Sequence, residues 1–254
     1  MSKLLTLARD LRRRKARERQ GLFVAEGIRT VEELLRSGVQ VRGLLAVGPE
    51  LEASPRGAAL VSDASRRGLP IEQVTESEFG SAAETESPQG VLAIGVVPER
   101  TLADVEASTV IRLLVLDAVQ DPGNVGTMIR TAAALGITAT FSLPGTVDLW
   151  NAKVVRSAMG AHFHHPCSSG TWDELDAFRQ ERSIAIWAAD AGGGPIDELA
   201  APERLALVVG NEGSGLTSAS RSRADRLVAL PITAAVESLN VAVAAGILLY
   251  ELRR

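Results

Sequence analysis

The chain has 254 residues, of which 46% are apolar and only 4% aromatic, with a formal net charge of −4. That length allows one or two domains, and Leu, Val, Ile and Ala must fill their cores because so few rings are present. A single cysteine, Cys167, excludes an intramolecular disulfide, and the longest apolar run, residues 241–250, falls far short of the roughly 20 residues of a membrane span.

The N-terminus is basic but lacks the apolar stretch of a signal peptide, so the composition reads as a cytoplasmic protein in a reducing compartment. Net charge alone argues against a nucleic-acid partner, but its distribution does not. Residues 1–20 hold eight Lys and Arg against Asp10 and Glu18, which leaves the rest of the chain at −10. A basic arm on an acidic body is a footprint for phosphate contact, and equally the pattern of a solvated helix with one charged face.

In chain order, residues 31–35 carry a helical pattern, 41–47 a strand, 58–67 a helix and 91–97 a β-branched, buried strand. Residues 98–109 are polar, begin with Pro98 and read as a linker between a first part, 1–97, and a second, 110–254. The second part alternates strands (111–116, 138–142, 162–165, 183–188, 205–209, 226–230) with helices (125–135, 151–159, 172–182, 217–224, 238–252). That alternation implies a mostly parallel sheet covered on both faces. The run Gly192-Gly193-Gly194-Pro195 reads as a loop.

Three turns that follow apolar strands stand out, because ligands in open α/β sheets bind where strands end. In the first, Asp121-Pro122-Gly123 ends a strand, Asn124 is placed to cap the next helix, and Arg130 follows one to two turns later. In the second, Val209 leads into Gly210-Asn211-Glu212-Gly213-Ser214-Gly215, where three glycines permit positive φ and close ligand approach. It is neither a Walker loop nor a dinucleotide fingerprint, and Glu212 suits a cation or ribose hydroxyls rather than phosphate. In the third, Leu230-Pro231 stops a strand and Glu237-Ser238-Leu239-Asn240 opens an apolar last helix, with Ser238 as a candidate cap. That helix is apolar nearly all round, so it belongs in a core or against a second subunit. Each turn taken singly is equally a cap or a tight connection.

Taken together in this order, the segments Asn124-Val125-Gly126-Thr127-Met128-Ile129-Arg130, Val209 to Leu216 and Leu230 to Ala242 resemble the signature motifs of the SpoU/TrmH family of the SPOUT superfamily, RNA 2′-O-ribose methyltransferases. Arg156-Ser157-Ala158-Met159-Gly160-Ala161 resembles a further family segment, with Ser and Ala exchanged, and residues 23–27 through 88–93 resemble the family's small N-terminal RNA-binding domain. The resemblance implies an α/β fold: a small α/β domain shared with some ribosomal proteins, then a mostly parallel sheet with a deep trefoil knot. It implies methyl transfer from S-adenosyl-L-methionine to a ribose 2′-hydroxyl of structured RNA, 23S rRNA ahead of tRNA, by a homodimer. A non-catalytic RNA-binding protein on the same fold is the alternative. The implied catalytic residues are Asn124, Arg130, Glu212, Ser238 and Asn240. The implied cofactor contacts are Val209, Gly210, Asn211, Leu230, Ile232 and Leu239, and the implied RNA contacts are Arg12, Arg13, Arg14, Lys15, Arg17 and Arg156. Arg130 is better suited to gripping a phosphate than to serving as a base, since a guanidinium stays protonated.

His162, His164, His165 and Cys167 invite a metal reading, but on a strand they divide between two faces and no metal site is expected. Trp150, Trp172 and Trp187 read as core or rim residues rather than a base-stacking platform.

Overall fold

The structure, a computed structural model, describes residues 3–233 and 238–253. In chain order the elements are α1 (Lys3–Leu11), α2 (Arg14–Gln20), β1 (Leu22–Glu26), α3 (Ile28–Arg36), β2 (Val41–Ala46), α4 (Gly48–Glu52), α5 (Pro55–Arg66), β3 (Ile71–Gln73), α6 (Glu76–Ala82) and β4 (Val91–Val96). Then come β5 (Ile111–Leu116), α7 (Pro122–Ala134), β6 (Ala139–Ser142), α8 (Ala152–Ser157), α9 (Ala161–His164), β7 (Cys167–Ser169), α10 (Trp172–Arg182), β8 (Ala185–Pro195), β9 (Arg204–Val209), α11 (Ser218–Arg223), β10 (Arg226–Ala229) and α12 (Val241–Leu252). The chain divides into two compact units: the described residues up to 99 with 150–164, and 100–149 with the described residues from 165 onward.

The first unit is built on a four-stranded sheet in the order β1-β4-β2-β3. Both faces are covered. Phe23 and Ala25 of β1 point into a core with Val31 and Leu34, while Leu22 and Val24 point into another with Leu5, Ala8, Leu11 and Phe79. The second core explains residues 3–20. They are not a free arm but two helices: α1 lays Leu5, Ala8 and Leu11 on the sheet, and α2 follows with Ala16 buried and Arg14, Lys15 and Arg19 facing solvent. The first core explains why 150–164 joins this unit rather than the one sequence order assigns: Trp150, Val155 and Phe163 pack into it, with Phe23 4.6 Å from the Trp150 ring and 5.9 Å from Phe163. Residues 161–164 form the helix α9, not the expected strand, and β7 begins only at Cys167.

The second unit is a six-stranded sheet in the order β10-β8-β9-β5-β6-β7, parallel throughout. Its central strands β5 and β9 are nearly continuous apolar, buried runs, as expected where both faces are covered. The segment expected as a linker is partly core: a short 3-10 turn, Leu102–Asp104, puts Leu102 and Val105 against β5 and β6 residues. The glycine run 192–194 is not a loop but the end of β8. The register between β8 and β10 jumps there, so that residues 189–193 bulge out of the ladder. Gly193 is required at that point, since a Cβ would lie 2.5 Å from the Val228 nitrogen.

Strands β5, β6 and β7 run outward in one direction, and the chain then returns to build β9, β8 and β10 on the other side of β5. The carboxyl ends of β5 and β9, neighbours in the sheet, therefore lie where strand order reverses. Such a point leaves a crevice outside the strand ends.

Candidate active site

A cleft of about 580 Å³ opens on the β9 side of this reversal, outside the ends of β9 and β10, well within the size range of small-molecule sites. Val209, Gly210, Asn211, Leu230, Ile232 and Leu239, the expected cofactor contacts, all line it, as do Glu212, Ser238 and Asn240 of the expected catalytic set. The bulged part of β8 supplies the opposite wall through Ala189, Asp190 and Ala191. Ile232 and Leu239 are exposed there, at 41% and 37%, and present apolar surface to whatever enters.

The glycine-rich turn is organised by its own asparagine. Asn211 Oδ1 accepts the backbone N–H groups of Gly213 (2.9 Å) and Ser214 (3.0 Å), and its Nδ2 donates to the Ala118 carbonyl (2.9 Å). The Asn211 and Gly215 backbones also exchange hydrogen bonds at 2.9 and 3.0 Å. A Cβ on Gly210 would lie 2.5 Å from the Gly215 carbonyl carbon and oxygen, so this glycine answers the turn's own backbone before any ligand. Ala118, held by Asn211, sits at φ 56, a strained left-handed conformation for a residue with a side chain.

Three side chains, from the first turn of α7, the glycine-rich turn and the N-cap of α12, then join across the rim. Asn124 Nδ2 donates to Glu212 Oε1 at 3.0 Å, and Asn240 Nδ2 donates to Asn124 Oδ1 at 3.0 Å. Asn240 can do this because its Oδ1 is already fixed as the N-cap of α12, accepting from Ala242 (2.9 Å) and Val243 (3.3 Å). The capping expectations are thereby corrected. Asp121, not Asn124, caps α7, accepting from the Asn124 backbone at 2.8 Å, and Asn240, not Ser238, caps α12. The cap of α7 lies three residues before the expected one, which releases the Asn124 side chain for the network, and that of α12 two residues after it. Ser238 lines the cleft, and Glu237 lies outside the described residues.

Burial alone would raise the Glu212 carboxyl, but the Asn124 amide and backbone N–H groups around it hold it below the ordinary range. It is a fixed negative charge at neutral pH, beside a cleft that suits a cation.

Sequence reasoning missed Asp117. It is 2% exposed, accepts from Thr217 N (2.7 Å), Thr217 Oγ1 (3.2 Å) and Ser220 Oγ (2.5 Å), and so ties the end of β5 to the start of α11. The available signal was an acid directly after a continuous apolar strand, where a charge survives burial only if it is bonded.

The remaining expected residues fall elsewhere. Arg130 is exposed on α7, lines neither this cleft nor the neighbouring groove, and has no hydrogen bond or ion pair among the described residues. Arg12, Arg13, Arg14 and Lys15 are exposed on the first unit, with Arg13 paired to Asp10 and Arg14 to Glu18 at 2.7 Å. Arg17 is a correction to the expected RNA contacts. It is 5% exposed and its Nη1 donates to the Leu11 (2.8 Å) and Arg12 (3.0 Å) carbonyls, closing the end of α1 as a framework residue.

The histidines do not form the strand imagined for them. His165 bonds Thr140 Oγ1 at 2.8 Å and burial, aided by the Arg100 charge, lowers it to about 4; burial pushes the Cys167 thiol up to about 12. Among the described residues, no three His, Cys, Asp or Glu side chains are grouped to hold a metal ion.

Residues 112–250, which contain the cleft and all three segments, match the SpoU rRNA Methylase family. The chain belongs to that family. Residues 6–93 match the MRM3-like substrate binding domain. The chain is 37% identical over 246 residues to the Bacillus subtilis 23S rRNA (guanosine(2553)-2′-O)-methyltransferase RlmP, covering 96% of this chain and 94% of the relative. Among solved structures, the SpoU methyltransferase AviRb from Streptomyces viridochromogenes in complex with AdoMet superposes with a TM-score of 0.88 at 27% identity, over 100% of this chain and 98% of its own. An AdoMet-bound rRNA methyltransferase from Sinorhizobium meliloti superposes at 0.86 with 27% identity, over 100% and 95%. The SpoU fold is thus the one expected, an α/β parallel sheet preceded by a small α/β domain. Among the described residues, no helix is long and apolar enough to cross a membrane.

Proposed function

We propose that this SpoU protein transfers the methyl group of S-adenosyl-L-methionine to a ribose 2′-hydroxyl of 23S ribosomal RNA. The observation that carries the reading is the hydrogen-bonded series Asn240–Asn124–Glu212 along the rim of a cleft that the glycine-rich turn floors. The cleft fits the cofactor: Leu230, Ile232, Leu239 and Leu248 offer an apolar wall for an adenine ring, and Glu212 favours a cationic ligand, while Asp190 is already paired with Arg221. Bound there, the cofactor supplies an activated methyl on a sulfonium centre.

The protein's task is then to place a ribose hydroxyl in line with that methyl and to manage one proton. Asn124 and Asn240 hold amide groups at fixed positions on the rim, and Glu212 locks them. Arg130, unpaired among the described residues, grips a phosphate next to the reacting ribose. The catalytic set is thus Asn124, Arg130, Glu212, Ser238 and Asn240.

The working unit is a homodimer. Val243 (52% exposed), Ile247 and Tyr250 form an outward apolar stripe on α12, and a groove of about 540 Å³ runs between that stripe and Thr127 and Thr131 of α7. A second copy of the chain covers this face. An rRNA substrate also implies a cytoplasmic location.

Methyl transfer from labelled S-adenosyl-L-methionine to 23S rRNA fragments, with tRNA in parallel, tests the reading. Labelled ribose 2′-O-methyl nucleotide in 23S rRNA is the expected product. Failure of S-adenosylhomocysteine to bind in a calorimetric titration overturns it, and labelled tRNA alone moves the substrate assignment.

A further inference from the structure

Within the first unit a second cavity, of about 430 Å³, is lined by Arg29, Arg56 and Arg156 together with Thr85, Ser87 and Gln89. Arg156 comes from α8 and the strained turn that ends it, where Met159 sits at φ 52 and Gly160 at φ 90. The turn is pressed onto α3: a Cβ on Gly160 would lie 2.5 Å from the Glu33 Cβ. This close packing fixes where the Arg156 side chain enters the cavity.

Its Nη1 is buried and has no hydrogen-bond partner among the described residues. A buried, unsatisfied guanidinium N–H is costly, and an acceptor brought in by a ligand removes that cost. The other groups around the cavity are already partly occupied. Arg56 pairs with Glu32, the Ile28 backbone N–H donates to Gln89 Oε1 at 3.0 Å, and the buried Glu26 carboxylate accepts from Glu84 N (2.9 Å) and Thr85 Oγ1. Glu26 is the one acid in the lining, facing three guanidinium groups, and both its oxygens are engaged inward. The cavity therefore presents net positive charge, the Ser87 hydroxyl and an unfilled donor to an incoming group. A phosphate meets all three, and Arg forks match its oxygens in pairs.

We infer that this cavity seats a backbone phosphate of the RNA substrate, with Arg156 Nη1 and Arg29 as its principal donors, making it an RNA contact separate from the methyl-transfer cleft. The inference rests on the RNA-substrate reading, since a free nucleotide offers the same phosphate chemistry. Ile28 and Met159 add an apolar wall beside the guanidinium groups, suited to the adjoining sugar or base.

The test uses the full chain and an unstructured, fluorescein-labelled ten-nucleotide oligouridylate, followed by anisotropy from 50 to 300 mM salt. Arg156→Gln and, separately, the exposed Arg29→Gln should each weaken binding about fivefold to tenfold and lower the slope of log affinity against log salt by about 0.7, the value of one single-strand phosphate contact. Arg66→Gln, an equal charge loss outside the cavity, should leave the slope within error. Arg156→Gln should also melt no lower than the parent, because it removes a buried unsatisfied charge. Unchanged affinity and slope in both cavity variants overturns the inference. So does stoichiometric binding of adenosine monophosphate that is lost in Arg156→Gln while oligouridylate binding is not. Because this probe is neither 23S rRNA nor methylated, failure of the methyl-transfer reading shows separately, as absent S-adenosylhomocysteine binding.

Discussion

Replacing Asn124 by alanine removes the central member of the Asn240–Asn124–Glu212 series in one step. Two bonds are lost, one from an amide to a carboxylate and one between amides, each 3.0 Å long. A neutral bond contributes about 0.5–1.5 kcal/mol net and one to a charge about 1.5–3 kcal/mol. Since the site is solvent-facing, the low end applies, and the two together come to about 2 kcal/mol. Urea unfolding of Asn124→Ala should show a loss of that order. A double-mutant cycle with Glu212→Ala should return a coupling of about 1 kcal/mol, because the residues are in direct contact. The carboxyl is held below its ordinary value of 4.5, so the coupling is full above that pH and is lost only as pH falls through the lower folded-state value. S-adenosylhomocysteine affinity should change little, as Asn124 does not line the cleft proposed for the cofactor. Turnover should fall on the order of a hundredfold, the usual result of letting positioned groups drift by about an ångström. Near-normal turnover, or a coupling indistinguishable from zero, would sink the idea that the series positions the ribose.

Two further perturbations follow from the same structure. His165 titrates near 4 in the folded protein against 6.5 when free, so the unfolded chain takes up its proton first; stability should decline by about 3 kcal/mol as pH drops from 6.5 to about 4, and His165→Gln should flatten that part of the pH–stability curve. An unaltered curve in the variant would show that another group controls it. Gly210→Ala places a methyl 2.5 Å from the Gly215 carbonyl, so the turn must open; S-adenosylhomocysteine binding should weaken at least tenfold, and a titration matching the parent would mean that the turn tolerates the shift.

Sequence order and residue type were enough to pick out residues that share one cavity. Strand ends followed by glycine and polar turns are local features, and Val209, Gly210, Asn211, Leu230, Ile232 and Leu239 do converge on one cavity. Local pattern was a poorer guide to helix starts, where Asp121 and Asn240 displaced Asn124 and Ser238 as caps, because the apolar period does not register which polar residue accepts the first N–H. It failed for Arg17, which has the charge of an RNA contact but spends it on the carbonyls of α1, and for residues 192–194, whose glycines serve a bulge against β10.

What the sequence by itself determined was the set of chemical groups, their order and the α/β alternation, since these follow from residue type and short-range periodicity. Tertiary structure decided the rest. Asn124, Glu212 and Asn240 are separated by 88 and 116 residues, and they meet only because strand order reverses between β5 and β9 and brings three segments to one rim. The same holds for Arg156, whose unfilled donor exists only because the segment 150–164 packs Trp150, Val155 and Phe163 into the core of the first unit. Burial and partnership are properties of the packed chain, and no periodicity along it encodes them.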